Sequence, residues 1–153
     1  MRWFLKASLA WLALGVTLGV AMSAHPVWTV YKAAHMHMML LGFVTMMIYG
    51  VAYHVVPRFA GHPLPDRRMA VAHWWLANAG LLLMVCGFVE RTTRAMPGTV
   101  ILSLGGALSA IAALIFVVMI WRTLDGPAAM RQSAPAAARG LQLRRNVTTS
   151  AAE

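Results

Sequence analysis

Three histidines punctuate one apolar run: His35 and His37 near its start and His54 near its end. A fourth, His73, opens the apolar run that follows. An imidazole inside a membrane span is costly to bury and marks a functional site by default. Two neutral imidazoles from facing helices are the usual means by which a helical bundle holds the iron of haem b. Thioether sulfur beside imidazole suits Cu(I) instead, and Met36, Met38, Met39, Met46 and Met47 interleave with these histidines. The candidate ligands are therefore His35, His54, His73 and His37 for haem iron, with Met38 and Met39 added if the metal is copper.

Spacing sorts these groups. His35 and His54 are separated by 19 positions, about 28 Å along a helix, so they mark two depths rather than one site. His35 and His37 lie about 200° apart around the axis and point to opposite faces. Helical arithmetic continues the His35 face through Gly42, Tyr49 and Tyr53, where the glycine would leave room for a porphyrin edge. The His37 face continues through Leu41, Val44, Ile48 and Val51. At the other depth His54 ends its helix and His73 begins the next, with Ala77 and Gly80 leaving a second gap below His73. Asn78 in the same span needs a hydrogen-bond partner. His25 and His62 fall in connections and are expected to be solvated.

The elements that position these residues follow from composition. The chain has 153 residues, 60% hydrophobic and 11% charged, with a mean hydropathy of +0.67. So little charge, with the apolar residues in long blocks, defines an integral membrane protein. About 20 residues cross the hydrocarbon core, and four blocks are long enough: about 4–22, 34–56, 69–88 and 100–121. The expectation is an all-α, integral membrane four-helix bundle over 1–124, followed by a disordered tail over 125–153. The start of the chain also has features of a secretory signal ending at Ala21-Met22-Ser23. The Gly15-Val16-Thr17-Leu18-Gly19 spacing favours a retained, close-packing helix.

Basic residues set the orientation. Arg2, Lys6, Arg58, Arg67, Arg68, Arg122, Arg131, Arg139, Arg144 and Arg145 fall on one side, against Lys32, Arg91 and Arg94 on the other. This asymmetry predicts both termini in the cytoplasm of a bacterial inner membrane, with His35 near the outer face and His54 near the inner. The formal charge of +9 is thereby a matter of topology, and nucleic acid is not an expected partner. The single cysteine, Cys86, excludes an intrachain disulfide and any CxxC or CxxCH motif. Four carboxylates, Asp66, Glu90, Asp125 and Glu153, form no helical pair, so carboxylate acid–base chemistry and a Ser-His-Asp triad lack their parts. Gly105, Ser109 and Ala113 offer a small-residue stripe for helix packing.

The run Ala34-His35-Met36-His37-Met38-Met39-Leu40-Leu41-Gly42-Phe43, with Tyr53-His54-Val55-Val56-Pro57-Arg58, resembles the second helix of the haem-copper oxidase catalytic subunit. The likeness is greatest to the nitric oxide reductase and cbb-type oxidase branch, and within it to short stand-alone "subunit I-like" four-helix proteins. His73-Trp74-Trp75-Leu76-Ala77-Asn78-Ala79-Gly80 matches the His-x-Trp-x-x-Asn-x-Gly pattern of their third helix. The nitric-oxide-response haem proteins of the NnrS type are also similar, through His35 to Phe43, Pro57 and Gly61-His62-Pro63-Leu64. The resemblance covers about a third of the chain, from roughly Ala33 to Gly80. It implies that His35 ligates a haem b, in electron transfer or in O2- or NO-linked respiration or sensing. The fourth helix holds no histidine, so a copper–haem active centre cannot be assembled by analogy, and oxygen or NO reduction by this chain alone is not expected. A second class of function is copper or haem handling during assembly of a respiratory oxidase; a third is a structural accessory subunit. Membrane lipid, a second copy of the chain, a respiratory oxidase, or a quinone or cytochrome redox partner are the expected associates.

Overall fold

A computed structural model describes residues 2–61 and 63–126. The expectations for His62 and for the tail beyond 126 lie outside the described residues. The described chain is all-helical, and its four helices are long and apolar enough to cross a membrane: α1 (Arg2–Ala24), α2 (Pro26–Ala60), α3 (Arg67–Glu90) and α4 (Ala95–Asp125). Each overruns its expected apolar block by a few residues at both ends, because helical hydrogen bonding continues after the hydrophobic stretch stops.

The connections have plain local causes. Gly61 ends α2 in the left-handed region, at φ 70°, and its N–H donates to the Pro57 carbonyl, the usual glycine stop. Asp66 starts α3 by accepting the Arg68 amide at 2.7 Å, an N-cap bond. Pro57 lies in the last turns of α2, close to this end.

The chief departure from regularity is in α2. It opens as a 3-10 turn (Pro26–Tyr31), becomes α-helical (Lys32–His37), passes through a π-helical stretch (Met38–Thr45) and returns to α (Met46–Ala60). Hydrogen bonds in a π-helix run from residue i to i+5, so the stretch holds an extra residue relative to α spacing. Its effect shows in the buried positions. Tyr53, Tyr49, Met46 and Gly42 step back by 4, 3 and 4, as an α-helix requires, but the next buried residue is Ala34 rather than His35. The π segment therefore rotates His35 off the face that carries Tyr49 and Tyr53.

α3 and α4 form the most extensive helix pair. Without a hydrophobic drive between helices in lipid, close backbone approach through small residues supplies the contact. A methyl group on Gly87 would lie 2.5 Å from the Leu102 backbone nitrogen, and one on Gly80 would lie 2.6 Å from Ser109 Oγ. Gly105 faces Met84 and the Gly80 carbonyl in return. The stripe on α4 is thus Gly105, Ser109 and the buried Ala112, displaced by one residue from the expected Ala113. Gly80 leaves no gap beneath His73, since α4 fills it. Gly87→Ala is expected to destabilise the pair by about 1–2 kcal/mol, through overpacking against backbone that cannot yield; a thermal melt in detergent measures it.

Candidate functional site

α2 meets α1 along a glycine groove. A methyl on Gly19 would lie 3.0 Å from His35 Cε1, and one on Gly15 would lie 2.6 Å from Met39 Sδ. The imidazole of His35 and the thioether of Met39, one turn apart on α2, therefore both rest on the Gly15–Gly19 surface of α1. A larger residue at either position would force the facing side chain to shift.

His35 is half-buried, and its Nδ1 is 2.9 Å from the Gly15 carbonyl oxygen. A carbonyl only accepts, so Nδ1 carries the proton and the neutral ring presents Nε2 as its lone-pair nitrogen. Ligand histidines in metal sites are held in this way, with the far ring nitrogen donating to a carboxylate or backbone carbonyl. His37 is tied to its own helix, Nδ1 donating to the Ala33 carbonyl at 2.8 Å, and its ring lies 4.8 Å from that of Phe88. The two rings thus face different neighbours, as their spacing requires. His25 is exposed and stacks on Trp28 at 5.5 Å.

The expected gap beside Gly42 is filled. A methyl there would lie 2.6 Å from Trp11 Cβ and 2.9 Å from Leu81 Cδ2, so α1 and α3 meet over this glycine and no porphyrin edge fits against it. Trp11 has a second task, its Nε1–H donating to Asn78 Oδ1 at 3.2 Å. Asn78 in turn donates to the Trp74 carbonyl at 2.8 Å, which meets its need for partners within the span.

His54 and His73 do not form a pair. His54 is exposed, and it borders an open cavity of about 460 Å³ with Tyr53, Pro57, Arg58, Gly61, Pro63 and Leu64. Its backbone carbonyl accepts from Arg58 Nη1 at 2.6 Å. His73 is fully buried, and the residue brought to it from α2 is Tyr53, whose hydroxyl is 2.8 Å from His73 Nδ1. The same hydroxyl lies 3.4 Å from Met119 Sδ. The hydroxyl thus ties α2 to both α3, through His73 Nδ1, and α4, through Met119. Phe4, Tyr49, Tyr53 and Phe116 surround the imidazole, with centroids at 4.9, 4.5, 5.6 and 6.0 Å. Nε2 is buried without a partner. An imidazole enclosed by four rings leaves no room for a porphyrin beside it. Tyr53 went unnoticed as the partner of His73; the signal available was that an intramembrane histidine needs one.

His35 and His37 both donate Nδ1–H to a backbone carbonyl, but only His35 is held by a neighbouring helix, which makes it the better-oriented candidate for haem iron. Among the described residues, no group of three or more His, Cys, Asp or Glu side chains is placed to hold a metal ion.

No family model matches the chain. It is 26% identical over 152 residues to the Cbb3-type cytochrome c oxidase subunit CcoN1 of Stutzerimonas stutzeri, a match covering 80% of this chain and 32% of that protein. The chain therefore spans about a third of the length of that relative. The match supports the oxidase side of the resemblance, and nothing found supports the NnrS side. Four membrane-crossing helices and this similarity make the chain a multi-pass membrane protein distantly related to a respiratory oxidase subunit.

Proposed function

We propose that the protein binds haem b through His35 and acts in electron transfer or in O2- or NO-linked respiration or sensing, in association with a respiratory complex. The observation that carries this reading is the Nδ1–H bond of His35 to the Gly15 carbonyl, which fixes the ring with its Nε2 lone pair free for iron. Haem, when bound, supplies one-electron chemistry whose potential follows from its axial ligands and surroundings. The chain's own contribution is positional: Gly15 and Gly19 let the imidazole lie against α1, and the carbonyl holds its tautomer. The His37 ring lies against Phe88 and the His25 ring against Trp28, so a second axial ligand would come from a methionine, another copy of the chain or a partner subunit. By the distribution of Lys and Arg the protein sits in a bacterial inner membrane with both termini cytoplasmic and His35 toward the outer face.

An absorbance spectrum of the detergent-purified protein tests the proposal. A Soret band with a sharp α-band on reduction is expected, and a colourless preparation would overturn it. One observation favours a second reading, copper handling for oxidase assembly: the Met39 thioether shares the Gly15 surface with the His35 imidazole. A colourless protein that retains stoichiometric copper, lost in His35→Ala, would establish that reading instead. Gly19→Leu provides a further check. It should displace the His35 ring from Gly15 and weaken haem retention about 10–100-fold, the usual effect of losing a residue that orients a ligand; titration of haem into apoprotein reads it.

A further inference from the structure

One end of the bundle is formed by the starts of α1 and α3 and the ends of α2 and α4. Among the described residues it carries Arg2, Lys6, Arg58, Arg67, Arg68 and Arg122 against Asp66 and Asp125. Trp3, Trp75 and Trp121 are 58%, 61% and 67% exposed at this end. They share one depth, because the Phe4 and Tyr53 rings both meet His73 and the Tyr53 hydroxyl meets Met119. Exposed tryptophans of a membrane protein gather at the level of the lipid head groups. Between the starts of α1 and α3 that level opens into a cleft of about 140 Å³ lined by Trp3, Phe4, Arg67, Ala70, Val71 and Trp74. Of these lining residues Arg67 alone is charged; it is exposed, and no carboxylate faces it from the other walls. Val71, Trp75 and Leu82 continue from Arg67 at helical spacing along one exposed face of α3.

We propose that this cleft holds the head group of an anionic phospholipid, with Arg67 on the phosphate and an acyl chain along Val71, Trp75 and Leu82. A guanidinium offers a planar fork of donors that matches phosphate oxygens. Here it stands at head-group depth above an apolar strip, which is the order of parts in a phospholipid. The cleft has room for the head alone, so the chains lie outside it, against the exposed face of α3. Charge decides between lipid classes. A zwitterionic head would bring a cation next to the phosphate, beside Arg2 and Arg68, the sequence neighbours of Trp3 and Arg67. An anionic head brings none, and each basic residue near the surface adds to its attraction. Free phosphate would meet Arg67 but gain nothing from the aromatic walls. The site is independent of His35, so lipid binding and haem binding stand or fall separately.

Native mass spectrometry of the full chain, delipidated in detergent and offered equimolar phosphatidylglycerol and phosphatidylcholine, tests the site. Preferential retention of one phosphatidylglycerol is expected, and it should survive excess inorganic phosphate. Arg67→Gln removes the anchor and should weaken retention about fivefold. Val71→Trp fills the mouth while keeping the charge and should weaken it as well. Arg122→Gln removes a charge from the same end, on α4 and outside the cleft, and should leave retention unchanged; circular dichroism checks the helices of each variant. Equal retention of the two lipids by the wild-type chain would overturn the proposal. So would equal losses in Arg67→Gln and Arg122→Gln, which would assign the effect to the charge of the whole end. Release of the lipid by inorganic phosphate, or full retention in folded Val71→Trp, would overturn it too.

Discussion

His35→Ala is expected to lower the haem content of the purified protein at least about tenfold, while His54→Ala and His73→Leu keep a wild-type Soret band. The contrast follows from how each ring is held. His35 presents a lone pair at Nε2 because the Gly15 carbonyl takes the Nδ1 proton. His73 is tied at Nδ1 to the Tyr53 hydroxyl, and four rings close around it. His54 is exposed at the far end of α2, whereas His73 is fully buried. Pyridine haemochrome quantification per mole of protein gives the answer. Loss of the band in His73→Leu, in a folded protein, would place the haem at the inner depth and sink the His35 assignment. Gly19→Ala belongs to the same series. Its methyl approaches His35 Cε1 to 3.0 Å, so a smaller loss than in Gly19→Leu is expected, graded with the displacement of the ring.

The spans, a small-residue stripe on α4 and the partner requirement of Asn78 were legible in the sequence. Each depends on hydrophobicity, volume or polarity of residues at known spacing. The setting of His35 was half legible. Its candidacy came from residue type and family likeness, but its face came out wrong, because face arithmetic assumes 3.6 residues per turn throughout. The π segment Met38–Thr45 adds a residue between Gly42 and the first turn, so Ala34 takes the inward position and His35 turns to α1. Nothing in Met-Met-Leu-Leu-Gly-Phe-Val-Thr announces that change. The glycine openings misled for a related reason: absent side-chain volume shows that something approaches closely, but not what. At Gly42 it is Trp11, at Gly80 it is Ser109, and at Gly19 it is the candidate ligand itself. The Gly15–Gly19 spacing read as generic helix packing is the surface on which His35 and Met39 rest.

The Tyr53–His73 pair should be recognisable by its non-additivity. Tyr53→Phe removes the hydroxyl and leaves Nδ1 of a fully buried imidazole without a partner, at a cost of about 1–2 kcal/mol. His73→Ala should be worse, about 3 kcal/mol, because it opens a cavity among Phe4, Tyr49 and Phe116 as well as stranding the phenol. Replacing both partners by apolar groups of similar size, Tyr53→Phe with His73→Leu, restores a cage that is apolar and filled. Loss of one member of a buried polar pair costs more than loss of both. The double variant is therefore expected to be more stable than the sum of its single changes predicts, by roughly 1 kcal/mol of coupling. Unfolding in detergent of the wild type, Tyr53→Phe, His73→Leu and the double variant closes the cycle. Strict additivity would mean that the 2.8 Å contact contributes no coupling in the bilayer-like environment.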